Sequence, residues 1–215
     1  MPRIFRFSNL ESTNETAKQP QFLDAEHGTV IIAESQSAGK GRHGKSFYSP
    51  AEHGIYMSVI LRLDSPGFSD SSDFSELITM FAAVCVCQAI EALTDKKPQI
   101  KWVNDIFISG KKICGILTER RSDSLDRIIV GIGINFYFPP ALPDYLPKEI
   151  QQTAGALFTG ESDITPNITK NQLIDEIVRR IITHPGSAGI VKEYKQRLIA
   201  ESIKDFEEHY EKNFG

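Results

Sequence analysis

Between Gln99 and Phe136 three strand-type runs follow one another with no helical run among them, and this constrains the fold more than any other stretch. Gln99–Ile108 reads as a strand leading into Ser109-Gly110, a two-residue hairpin turn, and Lys111–Glu119 reads as the returning strand. Arg127–Phe136 completes the set. Upstream, Thr29–Ala33 and Ile55–Leu63 are two further strands, the second closed by Pro66 and Gly67. Ser75–Leu93 stands between, with Leu77, Ile78, Phe81, Val84 and Cys85 on one helical face. A proline-rich connection from Pro139 to Pro147 precedes two amphipathic helices, near Asn171–Thr183 and Ser187–Tyr210. Strands broken by one helix, with helices gathered at the end, make an α+β chain whose sheet is covered mainly on one face.

A single domain accommodates this order. At 215 residues a chain buries roughly 70% of its unfolded surface, so the core needs no disulfide or metal. The net charge of −4 argues against a surface built throughout for nucleic acid, so any basic function is local. Cys85, Cys87 and Cys114 lie in apolar runs and read as reduced core residues. The N-terminus lacks the apolar run of a signal peptide, and the apolar stretches fall short of a membrane span; both point to a cytoplasmic protein with no membrane partner.

Gly39-Lys40-Gly41-Arg42-His43-Gly44-Lys45-Ser46 fits the P-loop pattern G-x-x-x-x-G-K-[ST] letter for letter. A P-loop needs a strand running into it and a helix leaving it, whereas here Pro50 follows closely and a β-type run comes next. The loop still carries Lys40, Arg42 and Lys45 among glycines and no acid. It suits an anion cradle as well as a solvated loop.

Strand alternation puts Gly131, Gly133 and Asn135 on one face, opposite Ile132, Ile134 and Phe136. Either a ligand or a helix approaches the bare backbone there. Read as strand, Lys101-Trp102-Val103-Asn104-Asp105 places Trp102 and Asn104 on one face, and Lys101, Val103 and Asp105 on the other. Such polar groups are networked or face a pocket. Lys112 and Gly115 fall on opposite faces by strict alternation, so a bulge or the Gly115 amide is needed for both to meet one ligand. No His, Cys, Asp and Glu cluster has metal-ligand spacing, and no nucleophile–base pair is visible.

Ser12-Thr13-Asn14-Glu15 has capping-box spacing and starts a short helix ending by Pro20. With Ala33–Pro50, Lys101–Glu119 and Gly131–Asn135, in this order and spacing, it resembles the catalytic domain of biotin protein ligases. The resemblance implies a mixed β-sheet with helices mainly on one face. It also implies a two-step reaction: biotin and ATP, with magnesium, give biotinyl-adenylate, and a lysine of a biotin carboxyl carrier protein then takes the biotinyl group. By position, Ser12, Thr13, Asn14, Gln36, Lys40, Gly41, Arg42, Lys112 and Gly115 are implied at biotin. Lys40, Arg42, Phe47, Asn104, Gly131, Gly133 and Asn135 are implied at the nucleotide, with Lys112 and Arg42 as the catalytic cations.

The pattern departs in places. Lys40 replaces the first arginine of the family's Gly-Arg-Gly-Arg loop, Phe47 its tryptophan, and Val103 the proline of Lys-Trp-Pro-Asn-Asp. Eleven residues precede Ser12, too few for the helix-turn-helix domain of repressor members, so no nucleic-acid partner is expected. The small C-terminal β-barrel of many members is also expected to be absent, and a homodimer is left open. The competing readings are a lipoate or octanoyl ligase of the same fold and a non-catalytic biotin sensor.

Overall fold

The computed structural model describes residues 2–62, 74–121, 124–139, 146–160, 168–183 and 189–214. Pro66, Gly67, Ser187 and most of the 139–147 connection lie outside them. A seven-stranded sheet organises the rest. It contains β1 (Ile4–Leu10), β2 (Thr29–Gln36), β3 (Gly54–Arg62), β4 (Gln99–Lys101), β5 (Asp105–Ile108), β6 (Lys111–Arg121) and β7 (Ser124–Asn135), in the order β1-β2-β3-β7-β6-β5-β4. β1 runs parallel to β2 and the other pairs are antiparallel, so the sheet is mixed.

β1 is absent from the sequence expectation, although Phe5 and Phe7 alternate with Arg6 and Ser8 as a half-buried strand should. β2 runs on past Ala33 because Ser35 and Gln36 still pair with Asn9 and Leu10. The Ser109-Gly110 turn is present, with both residues at positive φ (50° and 75°) as a primed hairpin turn requires.

The expected strand Gln99–Ile108 is two strands. The chain reverses at Trp102–Asn104, and Lys101 on β4 pairs with Asp105 on β5. The reversal is fixed from three sides. Asn104 Nδ2 donates to Ile116 O at 2.9 Å and Asn104 O accepts from Ile116 N at 2.9 Å. The Tyr194 hydroxyl donates to Val103 O at 2.8 Å, and Trp102 N donates to Ser202 Oγ at 3.0 Å. Face alternation therefore does not apply across residues 101–105.

One face of the sheet is covered by α2 (Phe74–Leu93), α4 (Lys170–Thr183) and α5 (Ile190–Arg197), which share the main core with Met57, Val130, Ile132 and Ile134. α2 is buried on more than the one expected face, because it is sandwiched between the sheet and α4 and α5. By length and composition Ser75–Leu93 could cross a membrane, contrary to the sequence expectation, yet 67% of that window is buried inside the protein. The expected last helix is also two, α5 and α6 (Ala200–Phe214). They part where Leu198 bridges Ile100 and Ile199 N donates to Ile100 O, covering the β4 edge.

The other face carries α1 (Thr13–Ala17), whose neighbours are β2, β3 and β7. At one end it closes a small core of Ala17, Phe22, Ile31, Ile60 and Ile129. At the other end the face is left open. The remaining short elements are β8 (Tyr137–Phe138) paired with β9 (Phe158–Thr159), and α3 (Lys148–Gln151).

Candidate active site

Strand register builds the floor of the open end. Tyr56, Gly133, Gly115, Asp105 and Lys101 lie in one row across β3, β7, β6, β5 and β4. Ser58, Gly131 and Leu117 form the next row. Glycine at the centre of both rows lowers the floor, and the space above is an open cleft of about 1260 Å³. That exceeds the about 300–1,000 Å³ of one small-molecule site, so two ligand moieties can lie in it together.

The lowered floor is filled from two sides. A Cβ at Gly131 would stand 2.3 Å from Asn14 Oδ1, and one at Gly133 would stand 2.6 Å from the Phe47 ring. Helix packing thus accounts for Gly131, where α1 lies on the strand, while Gly133 borders the cleft beneath a loop side chain.

The α1 end is a closed polar network. Glu15 N donates to Ser12 Oγ at 3.5 Å, the serine half of the expected capping box, while the Glu15 carboxylate turns instead to Lys18 and Lys40. Gln36 Oε1 accepts from Thr13 N at 2.9 Å, and Gln36 Nε2 donates to Ser49 Oγ at 2.9 Å. The fully buried Ser58 Oγ lies 2.8 Å from Thr13 Oγ1 and 2.6 Å from Asn14 Oδ1. Asn14 Nδ2 donates to Leu117 O (3.2 Å) and Glu119 Oε2 (2.7 Å). Both amide hydrogens of Asn14 are used, so the atom it can still offer a ligand is Oδ1, as an acceptor.

At the other end Lys112 reaches the cleft through a bulge. Ile106 pairs with Cys114 but Phe107 with Lys112, so β6 carries one extra residue there. The alternation is thereby reset, and a Cβ on Gly115 would stand 3.5 Å from Lys112 Cε. Lys112 Nζ lies 2.7 Å from Asp105 Oδ1. Lys112 N donates to Thr153 O and Lys112 O accepts from Gly155 N, both at 2.8 Å, which pins this end of β6.

Over the cleft arches the glycine-rich loop. Arg42–Gly44 forms a single 3₁₀ turn, and Lys45 resumes extended backbone, so no helix leaves the loop and the P-loop pattern lacks its phosphate-binding geometry. The loop closes on itself through Gly41 N to Lys45 O (2.7 Å) and Phe47 N to Gly39 O (2.8 Å). Cations dominate the lining: Lys40, Arg42, Lys45, Lys101 and Lys112 against the carboxylates of Asp105 and Glu149. Such a cleft favours an anionic ligand.

The cleft brings together Ser12, Thr13, Asn14, Gln36, Lys40, Gly41, Arg42, Phe47, Asn104, Lys112, Gly115, Gly131 and Gly133. Asn135 stands outside it, its Nδ2 donating to Gly155 O at 2.7 Å. Sequence reasoning gave no role to Ser58, Ser49 or Glu119, which act through contacts made only in the fold. Among the described residues no group of three or more His, Cys, Asp or Glu could hold a metal ion.

Residues 7–135 match the model of the biotin/lipoate A/B protein ligase family. The bifunctional ligase/repressor BirA of Bacillus spizizenii is 39% identical over 153 residues, covering 68% of this chain and 45% of that protein. The chain thus spans about half the length of this relative. A biotin protein ligase from Aquifex aeolicus, solved with biotin and ATP, superposes with TM-score 0.67 at 25% identity, covering 97% of this chain and 77% of that one. A biotin protein ligase from Leishmania major shares the fold with TM-score 0.74 at 19% identity, over 94% of this chain and 83% of that one. With a family match across β1 to β7 and a cleft assembled from those same strands, the chain belongs to the biotin/lipoate A/B protein ligase family.

Proposed function

We propose that the protein joins biotin to a lysine of a biotin carboxyl carrier protein, forming biotinyl-adenylate from biotin and ATP on the way. The observation that carries this reading is one continuous cleft with two unlike ends. Hydroxyls and amides of Thr13, Asn14 and Gln36 line one end, and Lys112 with Arg42 lines the other. The first suits a neutral ring rich in hydrogen-bonding groups; the second suits a carboxylate meeting a phosphate.

The residues act by position and charge. Asn14 Oδ1 accepts from a ring N–H of the ligand. Lys112, released from Asp105 by a stronger anion, balances charge where biotin's carboxylate attacks the α-phosphate, and Arg42 adds a fork-shaped donor set from above. No residue need bond covalently to substrate, because phosphoryl chemistry asks mainly for orientation and charge stabilisation. Magnesium would offset the triphosphate's charge; no group of three or more His, Cys, Asp or Glu among the described residues would hold it, so it would depend on the nucleotide itself. Transfer follows when the carrier's neutral lysine amine attacks the mixed-anhydride carbonyl and AMP leaves. The Asp105 carboxylate lines the same cleft, 2.7 Å from Lys112 Nζ. The buried, reduced cysteines accord with a cytoplasmic setting.

The deciding experiment incubates the protein with biotin, ATP, magnesium and a carrier domain, and weighs the carrier. The expected result is one added biotinyl group on one lysine, with AMP and pyrophosphate formed. An unchanged carrier mass, or modification by lipoate in preference to biotin, would refute the reading.

A further inference from the structure

The lysine that stands in the place of the family loop's first arginine lines the cleft, yet its ammonium is engaged by a carboxylate of α1. Lys40 Nζ lies 2.8 Å from Glu15 Oε1 on α1, and Glu15 is not a lining residue. The same Glu15 oxygen lies 2.8 Å from Lys18 Nζ. Lys18 Nζ in turn lies 2.8 Å from Glu119 Oε1, and Glu119 Oε2 accepts from Asn14 Nδ2 at 2.7 Å. One unbroken polar chain therefore runs from the loop to the amide at the floor of the cleft.

We propose that Lys40 is a positioning residue that anchors the covering loop to α1 through Glu15, with Lys18 and Glu119 carrying the tether on to Asn14. Its consequence for adenylate retention rests on the ligase reading above; the anchor itself does not.

An isolated exposed ion pair contributes little, and the Lys40 and Glu15 side chains are 48% and 37% exposed. This pair is not isolated. Glu15 is fixed on α1 and already oriented by Lys18, so little further freedom is lost when Lys40 joins. Hydrogen bonds from Lys18 and Lys40 hold the Glu15 carboxyl below its usual range, so it stays charged at neutral pH. Burial works against the Lys18 ammonium, but Glu119 and Glu15 outweigh it and its pKa rises. The residue type fits as well. Lysine is a compact point charge suited to sharing one carboxylate oxygen, whereas the fork of arginine suits a phosphate. Phosphate contact from the loop then falls to Arg42, which lines the cleft and whose guanidinium can fork.

The test begins without ligand. Hydrogen exchange of amides 39–47 is compared in the parent protein, Glu15→Gln, Lys40→Met and the double variant. Both single variants should speed exchange by about threefold to fivefold, the scale of one exposed ion pair supported by a network. The double variant should add nothing, because the two residues act as one link. About 1 M salt, where the screening length is about 3 Å, should bring the parent up to the variants and leave them unchanged. With biotin and ATP, both singles should shed biotinyl-adenylate faster by a similar factor, and Glu15→Gln should leave the KM for ATP unaltered. Unchanged exchange in either single variant, or additive effects in the double, would overturn the proposal. So would an about tenfold rise in the KM for ATP in Lys40→Met alone, since an ammonium on the nucleotide contributes on that scale. Should the parent make no adenylate, the ligase reading falls while the exchange pattern still decides the anchor.

Discussion

Lys112 and Asn14 show how one residue type acquires a task from its surroundings. Lys112 is half-buried beside Asp105, and Lys112→Ala removes the cation that the proposed reaction sets against carboxylate and phosphate oxygens. Adenylate formation should fall by about 100-fold or more, corresponding to about 2.7–4 kcal/mol for one lost transition-state donor. The melting temperature should change little, since half-exposed pairs contribute weakly to stability. Pyrophosphate release near the parent rate from a folded variant would contradict the assignment. Gly131 offers a second test, because Asn14 is locked by Ser58, Leu117 and Glu119 while a Cβ would stand 2.3 Å from its Oδ1. Gly131→Ala must therefore push Asn14 out of its network, a loss of about 1–3 kcal/mol by overpacking. Urea unfolding with an unchanged m value reads the loss, and calorimetry should show weaker biotin binding. Gly133→Ala makes the contrast, since what it meets is the Phe47 ring, a side chain with no hydrogen bond to lose. Its stability change should stay below about 1 kcal/mol, within the range of sites that adapt.

At the scale of elements, the Trp102–Asn104 reversal is built by partners far away in the chain. Tyr194 on α5 is fully buried and donates to Val103 O, and Ser202 on α6 accepts from Trp102 N. Tyr194→Phe leaves that carbonyl without its donor at a cost of about 1–3 kcal/mol. The turn carries Asn104, implied at the nucleotide, so the KM for ATP should rise while the KM for biotin holds; equal changes in both would reject a local effect. This turn also explains what the sequence could and could not reveal. The hairpin at Ser109-Gly110 was legible because its chemistry is local, and so was the cap at Ser12. The glycine face of β7 followed from alternation alone. The reversal at Trp102 did not, because no glycine or proline marks it and its bonds come from Ile116, Tyr194 and Ser202. The bulge that turns Lys112 toward Gly115 was visible only as a need, since register depends on the partner strand. α2 read as one-sided because periodicity reports the sheet contact and not the second layer formed by α4 and α5. Ser58 and Glu119 gave no local signal at all; strand register places them under α1.

The whole molecule carries its three cysteines inside the main core, and this sets its stability at alkaline pH. Burial pushes the thiols of Cys85 and Cys87 up to about 12 and that of Cys114 well above its usual value. In the unfolded chain a thiol ionises near about 8.5. From there to about 12 the unfolded state gives up protons that the folded state keeps, so stability is complete below the lower value and declines as pH rises. Each thiol withdraws about 1.4 kcal/mol per pH unit, so Cys85 and Cys87 remove about 4 kcal/mol by about pH 10, and Cys114 acts in the same direction. That is a large part of the about 5–15 kcal/mol that holds a domain folded. The buried hydroxyls of Tyr56 and Tyr194 are raised too, by burial above all, but they add to the decline only beyond about pH 10, where free tyrosine begins to ionise. Depressed carboxylates act at the opposite end. The contributions of Glu15 and Glu176, both lowered by hydrogen bonds from neighbouring cations, are complete above about pH 4.3 and fade in acid. Between these limits stability should form a plateau. Urea unfolding under reducing conditions, repeated from neutral pH to about pH 10, should show stability falling with a slope that approaches three protons. Cys87→Ala leaves a small cavity and starts from a lower plateau, but it should reduce that slope by one proton. A flat profile up to about pH 10, or equal slopes in parent and variant, would show that the thiols are not what the alkaline limit depends on.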